Sequence, residues 1–76
     1  YNIGNSYFDL KNFNEAIKYY LQAIAITPTY ADAYSNLGNA YNAIGKNKEQ
    51  IESYQKAAKL GQKSTQNWLS ENGYSW

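Results

Sequence analysis

SNLGNAY at residues 35–41 decides the reading of this chain, because YNIGNSY at residues 1–7 has nearly the same pattern 34 positions earlier. Asn2, Gly4, Asn5 and Tyr7 recur as Asn36, Gly38, Asn39 and Tyr41. The register holds further along the chain. Glu15/Glu49, Ile17/Ile51, Tyr20/Tyr54 and Ala23/Ala57 coincide, and Ile3/Leu37, Leu10/Ile44 and Ile26/Leu60 are conservative matches. Self-similarity at a fixed period of this size marks stacked supersecondary units, none of which can bury its apolar face alone.

Within each period the apolar spacing is helical and changes phase once. Ile3, Tyr7 and Leu10, and then Tyr34, Leu37, Tyr41 and Ile44, predict helices over 1–10 and 31–44. Ile17, Tyr20, Leu21 and Ile24, and then Ile51, Tyr54 and Ala58, predict helices over 14–26 and 48–60. The breaks are KNFN at 11–14, TPT at 27–29, GKNK at 45–48 and GQK at 61–63, short enough only for antiparallel neighbours. Thr29 ahead of Asp32, and Asn12 ahead of Glu15, have the spacing of an N-cap with an acid in the first turn. A fifth helix opens at about Ser64 and runs to a C-cap at Gly73, covering the last apolar face. Trp68 is read as part of that cap, and Trp76 as a residue that either folds back or marks an exposed tail. The expected fold is all-α, a short right-handed solenoid of antiparallel helix-turn-helix units. They span residues 1–30, residues 31–63 and a capping segment at 64–76.

The chain resembles the tetratricopeptide repeat family, whose unit carries W-x2-L-G-x2-Y, then A-x3-F, then P. The first unit shows Ile3-Gly4-x2-Tyr7, Ala16-x3-Tyr20 and Pro28; the second shows Tyr34-x2-Leu37-Gly38-x2-Tyr41 and Gln50-x3-Tyr54. It departs from the pattern at Gln50, where the family prefers Ala, and at Gln62, where it prefers Pro. Glycine inside a helix costs ~1 kcal/mol against alanine, so Gly4 and Gly38 require a compensating close approach of the partner helix. Ala16, Ala23 and Ala57 are the small faces expected opposite, with Tyr7, Tyr20, Tyr41 and Tyr54 filling the space between helices. The first unit lacks the aromatic that opens the pattern, and the chain starts without Met, as expected of a piece of something longer.

A polar stripe runs beside the apolar one. Asp32, Asn36 and Asn39 share one helix face by spacing, as do Asn2, Asn5 and Asp9 in the first unit. The family resemblance implies that the first helix of each unit lines a concave groove holding an extended peptide. On that basis Asn5, Asn36, Asn39, Asn2, Asp9 and Asp32 are the candidate partner-binding residues. Asparagine suits the task, since one side chain offers two donors and an acceptor. The plain alternative is a solvated stripe, or asparagines kept for packing between helices. Some family members hold acidic chaperone tails in a carboxylate clamp of two Asn and several Lys or Arg. Asn5 and Asn36 match the two asparagines, but the basic positions fall at Tyr1, Gln66 and Ser70, so the charge-assisted bonds are missing. A groove bearing Asp9 and Asp32 suits an uncharged or mildly basic segment better.

Composition narrows the function classes. Seventy-six residues make one small domain, and 43% hydrophobic content with nine Tyr and two Trp is a folding composition. Cys and His are absent, which removes disulfides, thiolate nucleophiles, imidazole bases and the usual zinc sites. The acids Asp9, Glu15, Asp32, Glu49, Glu52 and Glu71 read as helix-surface or first-turn charges, so an enzyme is not expected and no cofactor is implied. Gly38 and Gly45-Lys46 are spaced wrongly for a phosphate loop. Net charge is +1, and although Lys46, Lys48, Lys56, Lys59 and Lys63 cluster, Glu49 and Glu52 interrupt them, so nucleic acid is not an expected partner. No apolar run is long enough to span a membrane and no leader is visible; with no Cys, this fits a cytoplasmic protein. The expected function is a protein-protein interaction module. The alternative is self-association through the apolar edge at Ile3, Tyr7 and Leu10.

Overall fold

In the computed structural model, which describes residues 1–76, the chain is five helices and no strands. They are α1 (Asn2–Asp9), α2 (Phe13–Ile26), α3 (Ala31–Ala43), α4 (Asn47–Lys59) and α5 (Lys63–Glu71). Each packs chiefly on the helix before and the helix after it, as expected when helical pairs are stacked in chain order.

The turns show how the chain reverses so tightly. After α3, Gly45 takes φ +78°, its N–H donates to Asn42 O at 3.1 Å, and the Lys46 N–H reaches Tyr41 O at 2.9 Å. That pair of bonds satisfies the last carbonyls of the helix in a Schellman turn. The same pair closes α1, with the Lys11 N–H on Phe8 O and the Asn12 N–H on Tyr7 O, each at 2.9 Å. There the left-handed residue is Lys11, at φ 60°. The fifth helix closes in the same way through Gly73 and Tyr74, whose N–H groups bond Ser70 O and Leu69 O.

The start of α3 differs from the sequence expectation. Its N-cap is Tyr30 and not Thr29, because the turn bond from the Tyr30 N–H to Thr27 O holds Thr29 inside the loop. Asn12 does sit at the N-cap of α2, but its side chain makes no capping bond there. The fifth helix begins at Lys63, one residue before the expected start.

Two buried clusters hold the stack. Ala16, Tyr20, Leu37 and Ala40 join α2 to α3, flanked by Tyr1, Tyr7, Phe8, Ile17, Ile24 and Tyr41. Tyr54, Ala58 and Leu69 join α4 to α5, flanked by Ile51 and Trp68. Leu69 is fully buried, so α5 covers the apolar face of α4 as a cap should. Burial of such a side chain contributes about 1.5–3 kcal/mol. Beyond Gly73 the chain folds back: Tyr74 stacks on Trp68, and Gln55 Nε2 donates to Ser75 O at 2.8 Å. Trp76 stays on the surface, 44% exposed.

Candidate functional site

The glycine and asparagine of the repeated motif act on one tyrosine. A Cβ placed on Gly4 would lie 2.8 Å from the Tyr20 ring, and one on Gly38 would lie 2.6 Å from the Tyr54 ring. The missing Cβ therefore lets a tyrosine from the second helix of the pair lie flat against the first. The next residue receives its hydroxyl: Tyr20 donates to Asn5 Oδ1 at 2.7 Å, and Tyr54 donates to Asn39 Oδ1. Gly-Asn on one helix and Tyr on the other form a clasp, made once per unit. It accounts for the glycines more fully than small opposing residues do, although the Ala16 and Gln50 carbonyls are also close.

The clasps differ in what surrounds them. In the first, Asn36 on α3 donates its Nδ2 to Tyr1 Oη at 2.7 Å and to Asn5 Oδ1 at 3.2 Å. Asn5 Oδ1 thus takes two donors, which exhausts its ordinary acceptor capacity. The Tyr1 ring lies 4.7 Å from that of Tyr30 and 6.2 Å from that of Tyr20, centroid to centroid. The seam between α1 and α3 is filled. Burial, with Tyr1 and the Asp9 carboxylate adding to it, pushes the Tyr20 hydroxyl up to about 12. The Tyr41 hydroxyl is also raised, by burial and then by Glu49 and Glu52.

Between α3 and α5 the seam is open. A cavity of about 190 Å³ is lined by Ser35, Asn39, Tyr54, Ser64, Thr65 and Trp68. Trp68 stands edge-on to Tyr54 at 4.8 Å and forms one wall. Asn39 is exposed, and with its oxygen engaged by Tyr54 its two amide protons remain to donate.

Of the six predicted residues, Asn5 and Asn36 meet in the closed seam and Asn39 lies at the open one. Asp32 is exposed and accepts from Gln62 Nε2 at 2.8 Å, tying the start of α3 to the start of α5. Asn2 and Asp9 are exposed on α1, and neither side chain joins the asparagine network. At the clamp position Tyr1, the hydroxyl bonds the Asn36 amide that a carboxylate would use. Ser35, Ser64, Thr65, Tyr54 and Trp68 also line the cavity, and the repeated motif does not mark them as such. The signal lay in comparing non-identical positions: at a shift of 34, Tyr1 becomes Ser35 and Tyr30 becomes Ser64. No three acids gather to hold a metal ion, and no helix is long and apolar enough to cross a membrane.

Comparison with known proteins agrees with this architecture. A family model described as TPR repeat matches residues 4–45, and one described as Tetratricopeptide repeat matches residues 31–63. Among curated proteins, Protein O-mannosyl-transferase TMTC3 of Homo sapiens is 39% identical over 59 residues, 78% of this chain and 6% of that protein. Small glutamine-rich tetratricopeptide repeat-containing protein 2 of Saccharomyces cerevisiae is 40% identical over 55 residues, 72% of this chain and 16% of that protein. Protein STIP1 homolog of Dictyostelium discoideum is 33% identical over 70 residues, 92% of this chain and 12% of that protein. The chain thus spans less than a fifth of the length of each of these relatives. The shared part with the transferase is repeat sequence, so the likeness carries the repeat and not the transfer reaction.

Proposed function

This chain belongs to the tetratricopeptide repeat family, and on that footing we propose that it is a non-catalytic protein-interaction module. It takes an extended peptide or protein segment along the face shared by α1, α3 and α5. The observation that carries the reading is the open α3–α5 seam, where Asn39 offers two free amide protons beside a vacant cavity. Those protons match a backbone carbonyl of a bound segment. Asn5 and Asn36 shape the neighbouring part of the face through the Tyr1 network. Asn2, Asp9 and Asp32 border it, and the two carboxylates favour an uncharged or mildly basic segment.

The test is selection of peptides from a displayed library on the whole chain, followed by titration against Asn39→Ala. One lost hydrogen bond predicts roughly tenfold weaker binding, with folding stability reduced by no more than about 1 kcal/mol. Unchanged affinity in this variant, or binding-induced NMR shifts confined to α2 and α4, would overturn the reading.

A second reading follows from the opposite edge. Ile3 is 56% exposed and Leu10 76%, whereas Leu37, which occupies the place of Ile3 in the next unit, is 4% exposed. A second copy of the chain could cover that edge. Sedimentation over a range of concentrations decides it: a single small species throughout removes self-association, and a dimer abolished by Ile3→Lys with Leu10→Lys supports it.

A further inference from the structure

We propose that the α3–α5 seam is a receptor for one aromatic side chain, a tyrosine foremost, presented by the partner segment. The proposal rests on the groove reading above and adds the chemistry of the side chain that is bound. Its basis is the molecule's own symmetry. The residues lining the cavity, Ser35, Asn39, Tyr54, Ser64 and Trp68, stand 34 positions after Tyr1, Asn5, Tyr20, Tyr30 and Tyr34. At the first seam this arrangement already holds a phenol, the side chain of Tyr1. Its ring lies against Tyr30 and Tyr20, and its hydroxyl accepts from Asn36. At the second seam serines replace Tyr1 and Tyr30, Trp68 packs on Tyr54 at 4.8 Å, and a cavity remains among them.

Size and chemistry agree with that occupant. About 150 Å³ accommodates a benzene ring, and this cavity offers about 190 Å³. Tyr54 and Trp68, set edge to face at 4.8 Å, line the space with aromatic surface that a third ring can pack against, while Tyr74 stacks on the Trp68 ring. Asn39 lines the same space with amide protons that suit a phenol oxygen, whereas the Ser35 hydroxyl already donates to Asp32 O at 3.1 Å and keeps only acceptor capacity. An aliphatic side chain would fill the volume and leave the Asn39 amide protons without a partner. A charged one would lose water with no opposite charge among the lining residues.

The test is an NMR titration of the 15N-labelled chain with N-acetyl-tyrosinamide and, separately, N-acetyl-leucinamide. The expected result is saturable shifts at the Trp68 indole N–H and the Asn39 side-chain amide, with the tyrosine probe at least roughly fivefold tighter. Ser35→Tyr fills the seam from within, as Tyr1 fills the other, and is expected to abolish the response while keeping a folded spectrum. Ser64→Tyr reads the same effect if Ser35→Tyr does not fold. Equal response to both probes, shifts centred on Tyr1 and Asn36, or undiminished binding in both variants would overturn the proposal. The two readings fail separately. Library-selected groove peptides that tolerate Tyr→Leu everywhere remove the aromatic receptor alone; a tyrosine-specific probe response with no groove-binding peptide removes the groove reading alone.

Discussion

The two seams of the stack have the same clasp and opposite contents. At both, a glycine admits a tyrosine ring and the following asparagine binds its hydroxyl. At the first, Tyr1, Tyr30 and Asn36 close the space; at the second, Ser35, Ser64 and Ser70 occupy those register positions and a cavity remains. The glycine and tyrosine of each clasp are held constant by the approach of one helix to another, because a larger side chain at the glycine displaces a backbone or a buried ring. Seam residues sit one layer further out, where a side chain can shrink without disturbing the helices. Repetition therefore builds the scaffold, and departures from repetition make the site.

The largest effect expected from breaking this symmetry is at the clasp. Gly38→Ala places a Cβ 2.6 Å from the Tyr54 ring and 3.2 Å from the Gln50 carbonyl. Overpacking outweighs the gain in helix propensity, for a net loss of about 2 kcal/mol in denaturant unfolding. Gly4→Ala has slightly more room, at 2.8 Å and 3.3 Å, and should lose less. Equal and negligible losses would show that the clasp is not what requires glycine.

Next comes the closed seam. Asn36→Ala removes the donor to both Tyr1 and Asn5 and should cost about 1–2 kcal/mol. Asn39→Ala removes one bond, made by an exposed asparagine at the edge of the cavity, and should cost about 1 kcal/mol or less. In a domain of this size each kcal/mol lowers the melting temperature by about 4–8 °C, so the two variants separate in a thermal scan. A reversed order would mean that the open seam, not the closed one, carries more of the stability.

The turns give a smaller contrast with opposite sign. Lys11 and Gly45 are equivalent, and only Lys11 carries a side chain in the left-handed region. Lys11→Gly should stabilise the chain by about 0.5–1 kcal/mol, read as a higher denaturation midpoint. No gain would place the strain elsewhere.

The last contrast appears only in alkali. The Tyr20 hydroxyl is raised from 10.0 to about 12, so the folded state holds this proton more tightly than the unfolded state. Its contribution is fully present below pH 10.0 and is lost as pH climbs from there to about 12. Tyrosinate absorbance should show Tyr20 titrating last, beyond the also raised Tyr41, and Tyr20→Phe should remove that final step. Persistence of that late step in the variant would assign it to another tyrosine.

Much of this was legible in the residues alone. The 34-residue register, the five helices with the last as a cap, and the need for close approach at Gly4 and Gly38 follow from periodicity and helix propensity. Those are properties of one helix read along its own axis. Spacing points to Thr29 as the cap of α3, but capping depends on where the preceding turn closes, and Tyr30 closes it.

Tertiary structure alone decided the asparagines. Spacing placed the polar stripe of Asn2, Asn5, Asn36 and Asn39 apart from the packing residues, yet Asn5 and Asn39 each bind a tyrosine from the next helix. Sequence identifies which face of a helix a side chain occupies. Which side chain it meets across an interface depends on how the helices cross, and that geometry commits Asn36 to Tyr1 while leaving the amide of Asn39 free beside an empty seam.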